Sequence, residues 1–493
     1  MALLKDDGAN LEYNYRLGIC YLQTYIDKTL AISFLKTAMD NPKHEEDTPY
    51  YLGVAYMHAH QFEDAIKYLE MYKKTVVGKP NETRIVETTI QNCHVAKIAI
   101  QNPIRVKFEN LGSDINTANP EYNPYISPDE ETLIYTSRSK KNMGDLLDFD
   151  DEYPSDVFIA TAKSNGEWRR GRSIGSMINT ELNEETAGMS ADGQYLFICI
   201  DNFNGYGDIW YASKRGRGYQ RAETLDKDNV NGSAYESSAT VTNDEQVLVF
   251  SSNRDGGQGG MDLYMCKMLP TGQWGKPINL GPKINTPMDE EYPAFSPDQQ
   301  TLYFASNGPK SMGGYDIFKT EWQSEGTDFQ DPQNLGFPLN TTADETTISF
   351  DQTGRYAYMA RGHKEGSGDL DIYRLTIEDV DPRYSVIKGF VLNADSTSSG
   401  KEGIINIYDA DSKLLFGVYK IKPEDGKYLI ILPPGKWHAE FDLESLDKFT
   451  EDFEVKGKGD FKDLIERNFI IGGAPEPAPT PNGPLSPPPK KRR

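Results

Sequence analysis

Three stretches of this chain combine residue types that can do chemistry. Residues 171–175, GRSIG, have the G-x-S-x-G spacing of a nucleophilic serine. Residues 251–264, SSNRDGGQGGMDLY, form a glycine-rich loop with an arginine and two aspartates, as a phosphate-binding loop would. Residues 145–156, DLLDFDDEYPSD, concentrate the carboxylate oxygens that calcium prefers. The elements that carry these stretches decide which chemistry is available.

A repeat across residues 104–381 supplies those elements. Five versions of one strand–turn–strand unit follow each other, each with a serine or threonine before its turn and an aspartate before its next aromatic strand. The aspartates recur every 52 to 55 residues, which predicts a five-bladed β-propeller with one blade per repeat. The turn residues are Ser127, Ser190, Thr242, Ser296 and Ser349, and the aspartates are Asp156, Asp208, Asp262, Asp316 and Asp371.

The two ends of the array predict how the ring closes. The last unit has no outer strand after DIYRLTIEDVDP, whereas the first unit is preceded by a strand-like segment in which Ile104, Val106 and Phe108 alternate with polar residues. We therefore expect this N-terminal strand to complete the last blade.

The repeat register argues against two of the three chemistries. GRSIG falls at the turn of an outer strand, whereas a nucleophilic serine needs a strand before it and a helix after it. The glycines of residues 251–264 lead into a strand, whereas a P-loop needs a helix that starts with lysine. We interpret this loop as a hairpin within a blade. We interpret the repeated aspartates as structural residues that stabilise the turns, because a short carboxylate can accept hydrogen bonds from backbone N–H groups.

The acidic stretch and the arginines leave alternatives open. Residues 145–156 lack the D-x-D-x-D-G spacing of a known calcium loop, so we interpret them as a solvated acidic insertion, with calcium binding as the alternative. SADGQYLF, residues 190–197, resembles the Asp-box of sialidase propellers, and Arg138 and Arg361 hold equivalent places in two blades, with Arg254 one residue later in a third. A glycosidase needs a nucleophile and a carboxylate as well, so we predict a protein that is not an enzyme, with no catalytic residue, cofactor or metal.

Residues 11–78 carry helical periodicity in two copies. Gly18 and Gly53 lie 35 residues apart, each within Leu-Gly-x-x-Tyr and each followed by a second amphipathic segment. This spacing is close to the tetratricopeptide repeat of about 34 residues, with residues 83–101 as a capping helix. Packing between the repeats is one role for their inner side chains, and receiving a partner's peptide or helix is the other. The predicted partner-facing residues are Tyr15, Ile19, Tyr50, Val54 and Met57.

The remaining sequence completes a multidomain α+β chain. Residues 382–472 alternate short strands with Gly, Pro and Asp turns, which predicts a β-sandwich of about seven strands. Residues 473–493 are proline-rich and are predicted to be a disordered tail. The predicted parts are helical repeats at 1–103, the propeller at 104–381, the sandwich at 382–472 and the tail.

Composition excludes several classes. The net charge is −23, so a phosphate backbone would be repelled and no nucleic acid is expected as a partner. The 4 cysteines are far apart, without a C-x-x-C pair, and indicate neither a zinc site nor a disulfide framework. The first residues, MALLKDDGAN, are charged and lack the apolar region of a signal peptide.

The order of the modules resembles a known family. The S/T-P-D turns and D-[IL]-[FYW] strands are similar to TolB-type propeller repeats, and GFV (389–391), DGKY (425–428) and PPG (433–435) are similar to carboxypeptidase regulatory-like, transthyretin-like domains. With helical repeats in front, residues 11–472 resemble the PorE-like, outer-membrane-associated lipoproteins of the bacterial type IX secretion system.

That resemblance implies a periplasmic scaffold associated with the outer membrane. Its partners would be other secretion-system or outer-membrane proteins, bound through the helical repeats. The family normally ends in an OmpA-like domain that holds peptidoglycan, and it carries a lipidated N-terminal cysteine. Neither feature lies in this sequence. We therefore expect peptidoglycan binding only if the natural protein has an OmpA-like domain that this sequence does not include. The alternative function is a carbohydrate- or peptide-binding propeller, or a glycosidase. A polar, asymmetric central channel would favour this alternative, whereas an apolar or symmetric channel would favour the scaffold.

Overall fold

The computed structural model describes residues 10–471 with gaps at 26, 41, 144–146, 148–151, 165, 202–206, 217, 323–328, 363–365, 378–383, 399–401, 444–447, 457–461 and 463. Helices come first along the chain, then five small sheets arranged as blades, then one larger sheet. The predicted tail at 473–493 lies outside the described residues.

Five α-helices precede the first strand of the described chain, with a 3-10 turn at Lys28–Leu30 between the first two. Two glycines allow these helices to pack closely in pairs. A Cβ atom on Gly18 would lie 2.5 Å from Leu35 Cγ, and one on Gly53 would lie 2.7 Å from Leu69 Cγ. The helices are α1 (Leu11–Gln23), α2 (Ala31–Met39), α3 (Thr48–His58), α4 (Phe62–Thr75) and α5 (Pro80–Gln101).

Five separate sheets form the blades of a β-propeller, as the repeat predicts. In blades one to four, four strands follow in sequence order from the axis outward, and β9 (Gly218–Tyr219) extends the second blade. Blade one contains β2 (Glu121–Ile126), β3 (Thr132–Ser137), β4 (Asp156–Thr161) and β5 (Arg172–Ser173), and blade two contains β6 (Asn183–Met189), β7 (Tyr195–Asp201), β8 (Gly207–Arg215) and β10 (Glu223–Thr224). Blade three contains β11 (Glu236–Val241), β12 (Val247–Ser252), β13 (Asp262–Lys267) and β14 (Ile278–Asn279), and blade four contains β15 (Glu290–Phe295), β16 (Thr301–Ser306), β17 (Asp316–Glu321) and β18 (Gln333–Asn334).

The fifth blade joins the two ends of the array. It contains β19 (Ser349–Phe350), β20 (Tyr356–Arg361) and β21 (Asp371–Ile377), and its outermost strand is β1 (Val106–Asn110). β1 pairs antiparallel with β21, from Val106 opposite Ile377 to Asn110 opposite Tyr373. The prediction that the N-terminal strand closes the ring is therefore confirmed.

Apolar side chains fill the space between neighbouring blades. One cluster joins Phe197 and Ile209 of blade two to Leu248 and Phe250 of blade three, and comparable clusters lie between the other pairs of neighbours. Full burial of such a side chain contributes about 1.5–3 kcal/mol, so the inter-blade layers stabilise the ring.

The C-terminal segment forms one eight-stranded sheet by its hydrogen bonds, so the predicted two-sheet sandwich is not confirmed by strand pairing. The sheet curves back on itself, because the rings of Phe441 and Phe469 lie 4.7 Å apart although their strands are not neighbours. Its order is β27 (Phe449–Val455), β26 (Gly435–Leu443), β23 (Gly403–Asp409), β24 (Leu415–Ile421), β25 (Lys427–Leu432), β22 (Ser385–Asn393) and β28 (Leu464–Glu466), with β29 (Phe469–Ile471) also on β22.

Helices and C-terminal sheet contact opposite faces of the propeller. Asn92 Nδ2 of the helices donates over 2.8 Å to O of Gly313, in the hairpin between β16 and β17. On the same face, His58 Nδ1 lies 3.3 Å from Thr342 Oγ1, in the loop that leads to β19. The turns after the innermost strands meet the sheet, where Lys388 pairs with Glu131 over 3.4 Å. Because a strand separates these two sets of loops in every blade, they lie at opposite ends of the ring.

Candidate functional site

Each of the five blades has a buried glutamate near the start of its innermost strand, and in blade five this glutamate precedes β19. In four blades its carboxylate accepts two bonds from a threonine four residues earlier. In blade four, for example, Thr286 donates to Glu290 through its backbone N over 2.7 Å and through Oγ1 over 2.8 Å. The five glutamates, none more than 2% exposed, are Glu121, Glu184, Glu236, Glu290 and Glu345.

Blade three lacks the threonine and compensates with a cation. Gly232 stands at the threonine position and offers only its backbone N, 3.2 Å from Glu236. Arg254 Nη2 approaches the same carboxylate to 3.0 Å, and the guanidinium also donates to two backbone carbonyls of the preceding loop. The arginine of the glycine-rich loop therefore has a structural role in neutralising a buried acid.

Burial raises the pKa of all five carboxyl groups. Desolvation raises the pKa of Glu121, Glu184 and Glu290 to about 7 and that of Glu345 to about 8, against the lowering effect of their hydrogen bonds. Desolvation also raises the pKa of Glu236, with Ser252 and Arg254 opposing it.

The repeated aspartates are bound to the loops that precede their strands. Asp262 accepts bonds from the backbone N of Gln258 (2.5 Å) and of Gly259 (3.1 Å), and from Asn279 Nδ2 over 2.7 Å. Asp371 repeats this pattern, and Asp156 and Asp316 each accept a bond from a backbone N of their own loop. Asp208 begins a strand whose preceding residues lie outside the described chain. The loop of residues 251–264 is thus a hairpin with its aspartate bonded inward.

The residue after each buried glutamate varies between the blades, with a second glutamate in two of them. These side chains, four of them half-buried and Ser237 buried, surround the channel at the helical face, and we call them the channel mouth. The channel below is narrow, since β6 and β15 of non-neighbouring blades contact each other across the axis. The channel mouth consists of Tyr122, Glu185, Ser237, Glu291 and Thr346.

Hydroxyl groups orient the two carboxylates of the channel mouth. Tyr122 OH donates to Glu185 Oε1 over 2.7 Å. Ser237 Oγ and Tyr315 OH donate to the two oxygens of Glu291 over 2.5 and 2.7 Å. Burial raises the pKa of both glutamates, and the negative charge of Asp289 and then of Glu185 adds to the shift at Glu291. The mouth is therefore polar, acidic and asymmetric, a set of groups suited to hydroxyls or to a cation.

The segment between α1 and α2 borders this mouth. The Tyr25 backbone oxygen would lie 1.9 Å from a Cβ atom on Gly362, so only glycine at that propeller position permits the approach. Tyr25 is 43% exposed, and its pKa is raised by burial and by the charges of Asp344 and Glu185. A ligand that enters the mouth would pass this tyrosine.

The predicted partner-facing residues are divided between packing and the surface. Met57 is only 4% exposed within the helical core. Tyr50 packs between the rings of Tyr51 and Tyr72 (5.5 and 5.3 Å), and Tyr15 donates to Asp47 over 2.6 Å. Val54 and Ile19 are half-buried.

The three arginines considered for a cationic centre are not brought together. Arg138 Nε donates to Tyr153 O over 2.8 Å, Arg361 lies over the Phe108 ring at 4.5 Å, and Arg254 is occupied by Glu236. Ser173 of GRSIG lies on β5 and accepts a bond from Asn179 Nδ2 over 2.9 Å, within a blade turn.

Glu185 and Glu291 are absent from the residues that the sequence suggested. Their signal was a doubled glutamate, Glu184-Glu185 and Glu290-Glu291, which only two of the five units carry at this place. The first member of each pair belongs to the repeated pattern and the second breaks it.

Metal and membrane sites were also searched in the described part of the chain. It contains no group of three or more His, Cys, Asp or Glu side chains placed to hold a metal ion. Half of the acidic stretch 145–156, the calcium candidate, lies outside the described residues. No described helix combines the length and apolar character needed to cross a bilayer.

The fold thus defines a five-bladed β-propeller with helices and a further sheet attached, and TolB structures are among its fold neighbours. No family model matches the chain, and no curated protein matches it. Among solved structures, TolB from Acinetobacter baumannii has 14% identity and a TM-score of 0.34, covering 60% of this chain and 70% of that one. A putative TolB from Agrobacterium tumefaciens has 12% identity and a TM-score of 0.33, covering 66% and 97%. A glycosyl hydrolase from Bacteroides ovatus has 10% identity and a TM-score of 0.34, covering 52% and 84%. These values are too low to transfer an activity.

Proposed function

We propose that this chain is a non-enzymatic scaffold of the bacterial periplasm, associated with the outer membrane as part of a type IX secretion assembly. In this proposal the helices are two tetratricopeptide repeats with a cap, and the C-terminal sheet is a carboxypeptidase regulatory-like domain. The observation that carries it is the attachment of a separate module to each face of the propeller, through Asn92 and Gly313 on one side and Lys388 and Glu131 on the other. Such an arrangement holds several binding surfaces in fixed relation.

Recovery from the native envelope tests this proposal. The tagged chain should retain secretion or outer-membrane proteins, and Ile19→Asp on α1 should reduce their yield at least tenfold. Ile98→Asp is the matched control, because Ile98 is 65% exposed on α5, outside the predicted partner-facing set. Recovery of no envelope protein of either kind would reject the scaffold, and equal loss with both variants would reject the predicted surface.

A second candidate function rests on the channel mouth. Its polar and asymmetric lining favours the alternative named from the sequence, a propeller that binds a carbohydrate or a peptide. Glu185 and Glu291 would accept bonds from sugar hydroxyls or pair with a lysine or arginine side chain, and Tyr315 and Tyr25 offer ring surfaces.

Calorimetry with oligosaccharides and with basic peptides distinguishes these ligands. Binding should fall at least tenfold in Glu291→Gln, whereas Glu167→Gln on the outside of blade one serves as a control for loss of charge. Release of reducing sugar from an oligosaccharide, lost in Glu291→Gln, would instead establish a glycosidase and refute the non-enzymatic proposal.

A further inference from the structure

A small cavity lies where the propeller meets the C-terminal sheet, on the face opposite the channel mouth. Its volume is about 200 Å³. Turns of blades one, two and three form one wall, and the hairpin between β24 and β25 forms the other. A water molecule's share of liquid volume is about 30 Å³, so the cavity has room for a small solute. We call it the junction cavity.

Three lysines of the junction cavity lack a carboxylate partner. Lys214 enters from β8, and Lys422 and Lys427 enter from the hairpin. All three are half-buried, and no described carboxylate lies within ion-pair distance of their ammonium groups. Lys420, which also lines the cavity, differs because it pairs with Glu245. In a chain of net charge −23, a cluster of cations without direct partners is unusual.

The three lysines are close enough to influence one another's charge. Burial lowers the pKa of Lys214, and the positive charges of Lys422 and Lys427 add to this effect. The charges of Asp129 and Asp192 oppose it.

The acidic residues of the junction cavity either accept hydrogen bonds within their own turns or are exposed to solvent. Asp129 and Asp192 each accept a bond over 2.7 Å from the serine of their own turn, Ser127 or Ser190, and another from a backbone N. The remaining carboxylates of the lining, at positions 402 and 424, are exposed. The charges of Asp129 and Asp192 act on Lys214, but among the described residues neither carboxylate forms an ion pair with Lys214, Lys422 or Lys427.

Asn243 places a buried amide in the blade-three turn at this cavity. It lines the junction cavity and is 5% exposed, and neither its side-chain O nor its N has a hydrogen-bond partner among the described residues. A buried amide without partners is costly, so a ligand group that satisfies it is favoured. The equivalent positions in blades one to four are Pro128, Ala191, Asn243 and Pro297. In blade five the position is Gln352, because the turn begins at Asp351, which accepts a bond from Tyr356 N over 3.0 Å, and the predicted turn residue Ser349 lies on β19 instead.

We propose that the junction cavity binds a small oxyanion that retains an O–H group, hydrogen phosphate being the simplest. Lys214, Lys422 and Lys427 would neutralise its charge, and the Asn243 amide N would donate to an oxygen. The Asn243 carbonyl needs a donor, which the P–OH of hydrogen phosphate supplies and fully ionised sulfate does not. Because the lysines come from both modules, the bound anion would hold the C-terminal sheet against the propeller.

Titration calorimetry with inorganic phosphate at constant ionic strength tests this site in the full chain. One phosphate should bind per chain, and sulfate should bind at least tenfold more weakly. Lys427→Met should weaken phosphate binding at least tenfold, whereas Lys276→Met, an exposed lysine on the outside of blade three, should leave it unchanged. No saturable binding of phosphate, or equal binding by Lys427→Met and wild type, would overturn the proposal.

A second variant separates binding from folding. Asn243→Ala introduces the residue that blade two carries at the same turn position, so the turn should tolerate it. Its unfolding temperature without phosphate should equal or exceed that of the wild type, because an unsatisfied amide is removed, while phosphate affinity should fall at least tenfold. Unchanged affinity in Asn243→Ala, or sulfate binding equal to phosphate, would overturn the role assigned to the amide.

Discussion

Two neighbouring positions on each innermost strand differ sharply in character. The first holds a glutamate in all five blades, buried and bonded to the loop before it. The second, one residue further, holds tyrosine, glutamate, serine, glutamate and threonine in turn, and all but the buried Ser237 are half-buried around the channel. A structural role that all blades share requires the same residue in each blade. A ligand on the axis would instead present a different group to each blade. A ligand bound on the axis, as proposed, would therefore contact the variable position and not the invariant one.

The largest expected effect tests the blade that departs from the shared pattern. Arg254→Met leaves Glu236, whose side chain is 0% exposed, without its cation. Removing one partner of a buried pair should lower the free energy of unfolding by about 3 kcal/mol, measured by urea denaturation. A second substitution, Gly232→Thr, recreates the threonine of the other four blades, and a Cβ at Gly232 meets no atom within 4 Å. The double variant should regain about 1 kcal/mol. No regain would mean that blade three does not follow the common scheme.

The pH dependence of stability sharpens the comparison further. Burial raises the pKa of Glu290 from 4.5 to about 7 in the folded state. The folded protein therefore binds more protons than the unfolded chain between these values, and this contribution to stability is full below pH 4.5 and lost as the pH rises through 7. Glu290→Gln stays neutral, so the stability of wild type relative to the variant should decline by about 2–3 kcal/mol from pH 4.5 to 8. Thermal unfolding across this range measures it, and parallel curves would contradict the shift.

Equivalent threonines should have equal effects if the first position serves structure alone. Thr286→Val and Thr341→Val each remove one hydroxyl bond to a buried glutamate. Each should lower the free energy of unfolding by about 1 kcal/mol, and the two values should agree within about 0.5 kcal/mol. Thr271→Val, at an exposed turn, is the control and should change little. Strongly unequal losses of stability in Thr286→Val and Thr341→Val would contradict an equal structural role of the buried glutamate in the two blades.

The smallest effect on stability is expected at the channel mouth. Glu185→Gln keeps an oxygen that can accept the bond from Tyr122, so the free energy of unfolding at pH 6 should change by no more than about 0.5 kcal/mol. Binding at the mouth should nevertheless weaken, as for Glu291→Gln. A loss of stability as large as that of Arg254→Met would show that the second position is structural too.

The ring and its closure could be predicted from sequence because they repeat. A five-fold pattern exposes the turn residues and the aspartates, and the missing outer strand of the last unit points to Val106 and Phe108. The channel mouth could not be found in this way, because Glu185 and Tyr122 come together only when neighbouring blades are placed around the axis. Met57 shows that a repeat pattern can also mislead about exposure. Repeat register suggested a partner-facing residue, but the packing of the helices buries it.

The pairing of β1 with β21 has a consequence for how the chain is made. Residues at the two ends of the propeller sequence share one blade, so the ring cannot close until the last strand has been synthesised. Bringing such distant segments together carries a loop-closure cost and slows folding. Until then, blade five lacks its outer strand and the edge of blade one faces solvent instead of its neighbour. β1 follows directly on α5, so the helices are tied to the strand that closes the ring last. A nascent chain would therefore carry its finished helical module beside an open propeller, which is the interval in which a chaperone would be needed.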